Sequence, residues 1–136
     1  IMAKTGRCDF SELKKFAKHL EKQEIKAKAM IERCINDLGA EVLARAKLRT
    51  PVDTGDLRRA WTVSSITRTG NCYKVIVSNN LEYAAYVEYG HRTVNHRKWV
   101  PGKFMLTIST KEVDKLTPAV LERRVRNFLN QVMRYD

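Results

Sequence analysis

Asp53, Thr54 and Gly55 form the tripeptide that aspartic proteases carry in their active site. In those enzymes two such loops face each other, so that two carboxylates share one proton and activate a water molecule. A chain with one copy could do this only as a homodimer. Here the tripeptide continues into Asp56 and Arg58–Arg59, whose charges would disturb a shared proton. We therefore predict a turn in which Asp53 and Thr54 cap backbone amides.

Histidine and cysteine side chains could hold a metal ion or act as nucleophiles, but their spacing favours neither role. No acidic residue lies between Glu88 and Glu112, so His91 and His96 have no carboxylate close by in the sequence. The cysteines form no C-x-x-C pair and are expected to be reduced thiols: Cys8, Cys34 and Cys72. The sequence also lacks a glycine-rich phosphate loop and a G-x-S-x-G motif. We expect no catalytic residue, no metal and no cofactor.

Charge is the most unusual feature of the composition. The 136 residues include 26 Lys and Arg against 15 Asp and Glu, a formal net charge of +11. The excess is spread out, with +5 in residues 1–90 (16 basic, 11 acidic) and +6 in residues 91–136 (10 basic, 4 acidic). No segment approaches the roughly 20 apolar residues of a membrane-spanning helix. Length and composition predict one globular domain, residues 1–136, whose surface suits a place near nucleic acid.

The first fifty residues have helical periodicity. Asp9 and Glu12 have the spacing of an N-cap and its capping-box partner, which predicts a short helix to about Leu20. A longer helix is predicted over residues 24–48, with apolar side chains every three or four positions. Pro51 ends that helix, because the residue before a proline disfavours helical angles.

The middle of the chain changes to a period of two. Residues 60–68 and 72–79 alternate apolar and polar side chains around a Thr-Gly-Asn loop, which predicts an antiparallel hairpin over residues 60–79. A bare hairpin is marginal in water, so it must pack on the long helix or extend a sheet. Residues 81–89 are predicted to form a short helix with Gly90 as its C-cap.

The last third contains an irregular segment and a helix. Residues 91–102 have no periodicity, and residues 104–115 fit either a strand or a helix. Thr117 and Pro118 are typical of an N-cap and first turn, so a C-terminal helix is predicted to start there. The predicted fold class is α+β: a small antiparallel sheet (hairpin 60–79) packed against a long helix (24–48), with helices at both termini.

Two motifs carry a resemblance to a known family. The first is the run T-P-V-D-T-G-D-L-R, residues 50–58, and the second is Y-A-A-Y-V-E-Y-G, residues 83–90. With an apolar hairpin between them, they resemble the head–tail joining or tail-completion (neck) proteins of long-tailed bacteriophages and prophages, over about residues 45–106. The matching positions are Thr50, Pro51, Val52, Asp53, Thr54, Gly55, Leu57, Arg58, Tyr83, Ala84, Tyr86, Val87, Glu88, Tyr89 and Gly90.

The resemblance implies a structural virion protein rather than an enzyme. Subunits would close into a ring at the head–tail interface, with DNA passing transiently through the lumen, and a hexamer would match the tail tube. The implied partners are further copies of the chain and the neighbouring head-completion and tail-terminator or tail-tube proteins. The implied location is the neck or tail of the virion, and the host cytoplasm during assembly, with no membrane involved. A small basic nucleic-acid-binding protein remains the alternative.

Two further expectations concern particular side chains. Glu88 either pairs with Arg58 or Arg59, within or between subunits, or is an ordinary exposed helix charge. Residues 91–103 have the composition of a mobile basic loop that orders against a neighbouring subunit or neck protein, with Trp99 as the buried anchor. The candidate interface residues of this segment are His91, Arg92, Arg97, Lys98, Trp99 and Lys103.

Overall fold

The computed structural model describes residues 3–4, 7–8, 11–70 and 72–134, and it has an α+β architecture as predicted. Its elements follow in chain order: β1 Ala3–Lys4, β2 Arg7–Cys8, α1 Ser11–Arg49, α2 Asp56–Arg59, β3 Trp61–Val63, β4 Thr67–Thr69, β5 Cys72–Lys74, β6 Val77–Asn79, α3 Ala84–Tyr89, β7 Gly90–Arg92, β8 Trp99–Pro101 and α4 Met105–Val132. The antiparallel pair of β1 and β2 was not predicted. The predicted N-cap, Asp9, lies outside the described residues.

The first helix is longer than predicted. Two helices were expected, but α1 runs without a break for 39 residues and ends just before Pro51. The predicted break at residues 21–23 is wrong, because Glu, Lys and Gln stand there and all three are good helix formers.

The start of the last helix is also corrected. α4 begins at Met105 rather than at Thr117, and Pro118 lies inside it. The Thr117 hydroxyl donates a hydrogen bond of 2.8 Å back to the Val113 carbonyl, which is a helix-interior arrangement rather than an N-cap. An interior proline costs a helix about 3 kcal/mol. Packing against α1 offsets this cost, since Ser109 and Val113 are buried.

The two long helices are antiparallel neighbours. Glu112 of α4 forms ion pairs with Arg45 and Arg49 of α1. Asp37 of α1 pairs with Arg124 further along α4. At the far end, the His19 ring lies 3.3 Å from the Val132 carbonyl oxygen.

The predicted hairpin is confirmed, with one irregularity. β3 pairs with β6 and β4 pairs with β5, both antiparallel. The register shifts by one residue between the two pairs, so Ser65 and Ile66 stand opposite Val75 alone, as in a β-bulge. The hairpin packs on α1 at Gly39, where a Cβ atom would lie only 2.7 Å from a Val75 methyl. Glycine inside the helix therefore allows close packing of the sheet.

The main core lies where the shorter elements meet the C-terminal half of α1 and the start of α4. Its buried members are Ala46, Leu57, Trp61 and Met105. Partly buried apolar side chains surround them: Leu43, Val77, Leu81, Ala84, Val87 and Leu106. Because both sequence motifs contribute side chains to this core, their positions relative to each other are fixed.

Candidate assembly interface

The T-P-V-D-T-G segment forms the predicted turn, although only Thr54, and not Asp53, caps a backbone amide. Gly55 has φ 85° and ψ −2°, the left-handed conformation that glycine adopts most easily. The Thr54 hydroxyl accepts a 3.3 Å hydrogen bond from the Asp56 amide. Hydrogen bonds from Thr54 and then Arg59 lower the pKa of Asp56, and Arg59 also forms an ion pair with it. Asp53 is exposed at the rim of this turn.

Thr50 connects this turn to the core. Its side chain, 3% exposed, accepts a 2.7 Å hydrogen bond from the Trp61 indole and donates one of 2.6 Å to the Ala46 carbonyl. Arg58 donates to the Thr50 carbonyl at 3.4 Å. The buried Leu57 follows, while Pro51 and Val52 are exposed. The motif therefore holds an exposed loop rigidly against a buried tryptophan.

Glu88 does something that neither expectation foresaw. It is 7% exposed, and its carboxylate accepts hydrogen bonds from the Leu106 amide (3.0 Å), the Thr107 amide (2.9 Å) and the Thr107 hydroxyl (2.6 Å). These amides belong to the first turn of α4, where backbone N–H groups have no acceptor within the helix. Phe104, the residue at the N-cap position, has φ 48° and provides no side-chain cap. Glu88 is therefore the cap of α4.

The expected partners of Glu88 are engaged elsewhere. Arg59 pairs with Asp56, and Arg58 contacts the Thr50 carbonyl. Over residues 11–70 and 72–134, the ion pairs within the chain include none to Glu88. Glu88 is buried at the start of α4. The predictions that it pairs with an arginine within the subunit, or that it is an ordinary exposed charge, are therefore wrong. No sequence signal links a glutamate to amides 18 and 19 residues further on.

Gly90 ends α3 as predicted and allows the chain to turn sharply. Its φ of 92° and ψ of 168° are accessible essentially to glycine alone. A Cβ atom here would lie 2.7 Å from the Val100 carbonyl oxygen and 2.8 Å from the Trp99 ring. The indole of Trp99 thus rests over the bare backbone of Gly90.

Residues 91–102 are not irregular. β7 and β8 form an antiparallel hairpin, with Arg92 opposite Trp99. Its loop is held by hydrogen bonds from the Thr93 amide to the Lys98 carbonyl (2.8 Å) and from the His96 amide to the Thr93 carbonyl (2.8 Å). The sequence pattern missed this hairpin because each strand has only three residues, too few to show alternation. We name residues 90–103, the two strands with the two residues that follow them, the basic hairpin.

The basic hairpin exposes all of its predicted interface side chains except His91. Arg92, Arg97, Lys98 and Lys103 are exposed, and His91 is half-buried with its ring 6.0 Å from that of Tyr86. Trp99 is 61% exposed.

Aromatic rings dominate the surface beside this hairpin. Tyr83, Tyr86 and Tyr89 recur every third residue and are 44%, 60% and 64% exposed. Phe104, 39% exposed, packs edge to face on Tyr89. We call the set Tyr83, Tyr86, Tyr89, Trp99 and Phe104 the aromatic face. The tyrosine spacing was visible in the sequence, but only the core contacts of Ala84 and Val87 show which way the stripe points.

Other kinds of site find no support in the part of the chain that the structure describes. No cluster of three or more His, Cys, Asp or Glu side chains there could hold a metal ion. Cys34 is buried and Cys72 is exposed; both are free thiols. No helix among these residues is long and apolar enough to cross a membrane.

A comparison with protein families shows what the chain is similar to. A family model described as "Bacteriophage HK97-gp10, putative tail-component" matches residues 12–90, which include both motifs and the hairpin between them. No curated protein and no solved structure shows significant similarity to the chain. Because the match covers more than half of the 136 residues, the chain belongs to the HK97-gp10-like family of bacteriophage tail components.

Proposed function

We propose that this tail component is a structural subunit of the phage neck, which joins or completes the tail at the head–tail interface. Copies would assemble head to tail into a ring, with sixfold symmetry to match the tail tube, and DNA would pass through its lumen. The protein would act in the virion, after assembly in the host cytoplasm, and would not be an enzyme.

The observation that carries this proposal is the aromatic face. Soluble monomers rarely expose contiguous apolar patches of several rings, and tyrosine and tryptophan are enriched at protein interfaces. Here the rings stand on a frame fixed by the Glu88 cap, the Gly90 turn and the Thr50–Trp61 hydrogen bond. A preorganised aromatic surface binds a partner at a smaller entropic cost than a mobile one.

Ring closure needs contacts between two different surfaces of each subunit. Such heterologous contacts close into a ring when the rotation between neighbours allows it. The surfaces at the two ends of the tyrosine stripe differ, with the T-P-V-D-T-G turn at Tyr83 and the basic hairpin at Tyr89. The net charge of +11 suits a protein that lies beside a DNA conduit.

The proposed neighbours are the head-completion protein on one side and the tail-terminator or tail-tube protein on the other. Apolar side chains also stand exposed on the far half of the two long helices, for example Ile25 (71%) and Leu129 (53%). A ring subunit needs surfaces for axial neighbours as well as for its own copies, and these helices offer a second one.

Light scattering of the purified protein over a concentration range, with electron microscopy of the same samples, tests the proposal. We expect concentration-dependent rings of one size. The double variant Tyr86→Ser/Tyr89→Ser should stay monomeric, whereas the control Ile76→Ser, which changes an exposed apolar residue outside the aromatic face, should still form rings. Absence of the protein from purified virions would contradict the neck function.

One observation favours a second candidate, direct nucleic-acid binding. The basic hairpin combines exposed Arg and Lys side chains with the exposed Trp99, and charge plus stacking is a mode of single-strand binding. Tight DNA affinity of a monomer or dimer, falling steeply with salt, would favour this function over the ring.

A further inference from the structure

We infer that the basic hairpin of one subunit docks into an acidic cleft of the next, with the Trp99 indole as the inserted group. This inference rests on the proposed ring and names the contact that would build it. It commits to a second copy of this chain as the occupant of the cleft.

The cleft lies between the T-P-V-D-T-G turn and the start of α3. It has a volume of about 340 Å³ and is lined by Pro51 and the turn residues 53–56, with Leu57, Tyr83 and Val87. This volume is near the lower end of the about 300–1,000 Å³ of pockets that enclose small ligands, so it suits one large side chain rather than a folded segment. Its floor is apolar, from Leu57 and Val87, and its rim carries carboxylates.

The rim of the cleft is acidic and partly uncompensated. Asp53 and Asp56 line it, and the exposed Glu82 precedes Tyr83 in the chain. Arg59 neutralises Asp56. Among the residues that the structure describes, no cation forms an ion pair with Asp53 or Glu82.

The basic hairpin has the complementary composition. Residues 90–103 include Arg92, Arg97, Lys98 and Lys103 and no acid, and within the described chain none of these four cations has a carboxylate partner. Unpaired opposite charges on two surfaces of one chain favour contact between copies, and they select head-to-tail over like-to-like pairing.

Trp99 has the geometry of an anchor. Its ring lies over Gly90, which places it at a defined position, while 61% of the residue stays exposed. A large aromatic side chain that is held in place but uncovered is typical of an interface hot spot. The cleft and the hairpin adjoin opposite ends of α3, so one subunit can fill its neighbour's cleft while its own cleft is filled.

Cysteine cross-linking tests the contact without changing any charge or Trp99. The background carries Cys8→Ser and Cys72→Ser, which leaves Cys34, a fully buried thiol. One chain then carries Val52→Cys beside the cleft and the other Val94→Cys at the hairpin tip; both valines are exposed, at 57% and 100%. After mixing and mild oxidation we expect a disulfide-linked V52C–V94C dimer. The control pairs V52C with Thr69→Cys, at the exposed tip of the other hairpin, and should give at least tenfold less product.

Charge exchange supplies an independent measurement. Asp53→Lys alone and the pair Arg97→Glu/Lys98→Glu alone should each raise the concentration needed for assembly by about tenfold or more, and the combined variant should recover most of the loss. Arg68→Glu, which removes a cation from the other hairpin, should change assembly by less than about twofold.

The outcomes separate this inference from the proposed function. Rings that form normally in Trp99→Ala, or without the V52C–V94C disulfide, overturn the docking contact and leave the ring standing. If hairpin variants still self-assemble but no longer join virions, the basic hairpin contacts a neighbouring neck protein instead of a second copy. That result also overturns the docking contact. A wild-type chain that is monomeric up to about 1 mM, together with V52C and V94C chains that give no mixed disulfide, overturns the contact. Absence from virions overturns the neck function itself.

Discussion

The two halves of the molecule are built on the same pair of helices but differ in what covers them. At the core end, the hairpin and the short helices α2 and α3 pack on α1 and α4, and Trp61 and Met105 are buried. At the other end, which we call the helical arm (residues 11–36 and 117–132), α1 and α4 pack mainly against each other. Among the side chains described in this arm, Cys34 and Gln23 are buried.

This difference shows that apolar periodicity does not by itself produce a core. The helical arm has as regular a pattern as the core end, yet Ile25, Leu121, Val125 and Leu129 stay exposed. Two helices bury only the stripe along which they touch, and a third layer is needed to cover the rest. We expect amide hydrogen exchange to be faster in the helical arm than at the core end, because local opening there uncovers little apolar surface.

Replacing Trp61 should produce the largest effect on stability. Trp61→Ala removes a buried indole and leaves the Thr50 hydroxyl without its donor, so we expect a loss of about 3–5 kcal/mol in the free energy of unfolding. Leu129→Ala, the matched truncation in the helical arm, should cost less than about 1 kcal/mol. Urea denaturation measures both. Equal losses would show that the arm is packed as tightly as the core end.

Removing the cap of α4 should have the next largest effect. Glu88→Ala leaves two amides and the Thr107 hydroxyl of the first turn without their acceptor, and we expect a loss of about 1–3 kcal/mol. Glu122→Ala, an exposed glutamate in the helical arm, should change stability by less than about 0.5 kcal/mol. Thermal melting of the two variants provides the comparison, and similar melting temperatures would contradict the cap.

Pro118 lies where the helical arm begins. Replacing it should stabilise the arm, whereas the two preceding substitutions destabilise the core end. Pro118→Ala restores a helical hydrogen bond to the Asp114 carbonyl, so the arm should gain about 1 kcal/mol or more. Hydrogen exchange should slow in residues 117–132 and change little at the core end. A loss of stability would mean that the proline fits a bend that packing requires.

The smallest effect is expected at the exposed turn of the core end. Asp53→Asn should keep the fold and cost no more than about 0.5–1 kcal/mol. Gly55→Val is its contrast and should be clearly more destabilising, because a β-branched residue resists the positive φ of 85°. Denaturation of the two variants, together with a peptidase assay, tests the turn. A peptidase activity that Asp53→Asn abolishes at unchanged stability would contradict a purely structural role.

Features that depend on neighbouring residues could be predicted from the sequence. The alternating strands of the hairpin, the end of α1 before Pro51 and the positive φ of Gly55 all follow from local sterics and periodicity. The two motifs also indicated the phage family that the family match confirmed over residues 12–90.

Tertiary structure alone decided the features that depend on distant residues. Pro118 is tolerated inside α4 because α1 packs against that helix, and Glu88 caps α4 because Gly90 and Gly102 let the backbone cross closely behind it. The same close backbone approach at Gly90 and Gly102 brings the two strands of the basic hairpin together. Hydrogen bonds between residues far apart in the chain leave no periodic signal, so their partners become visible only once the chain is folded.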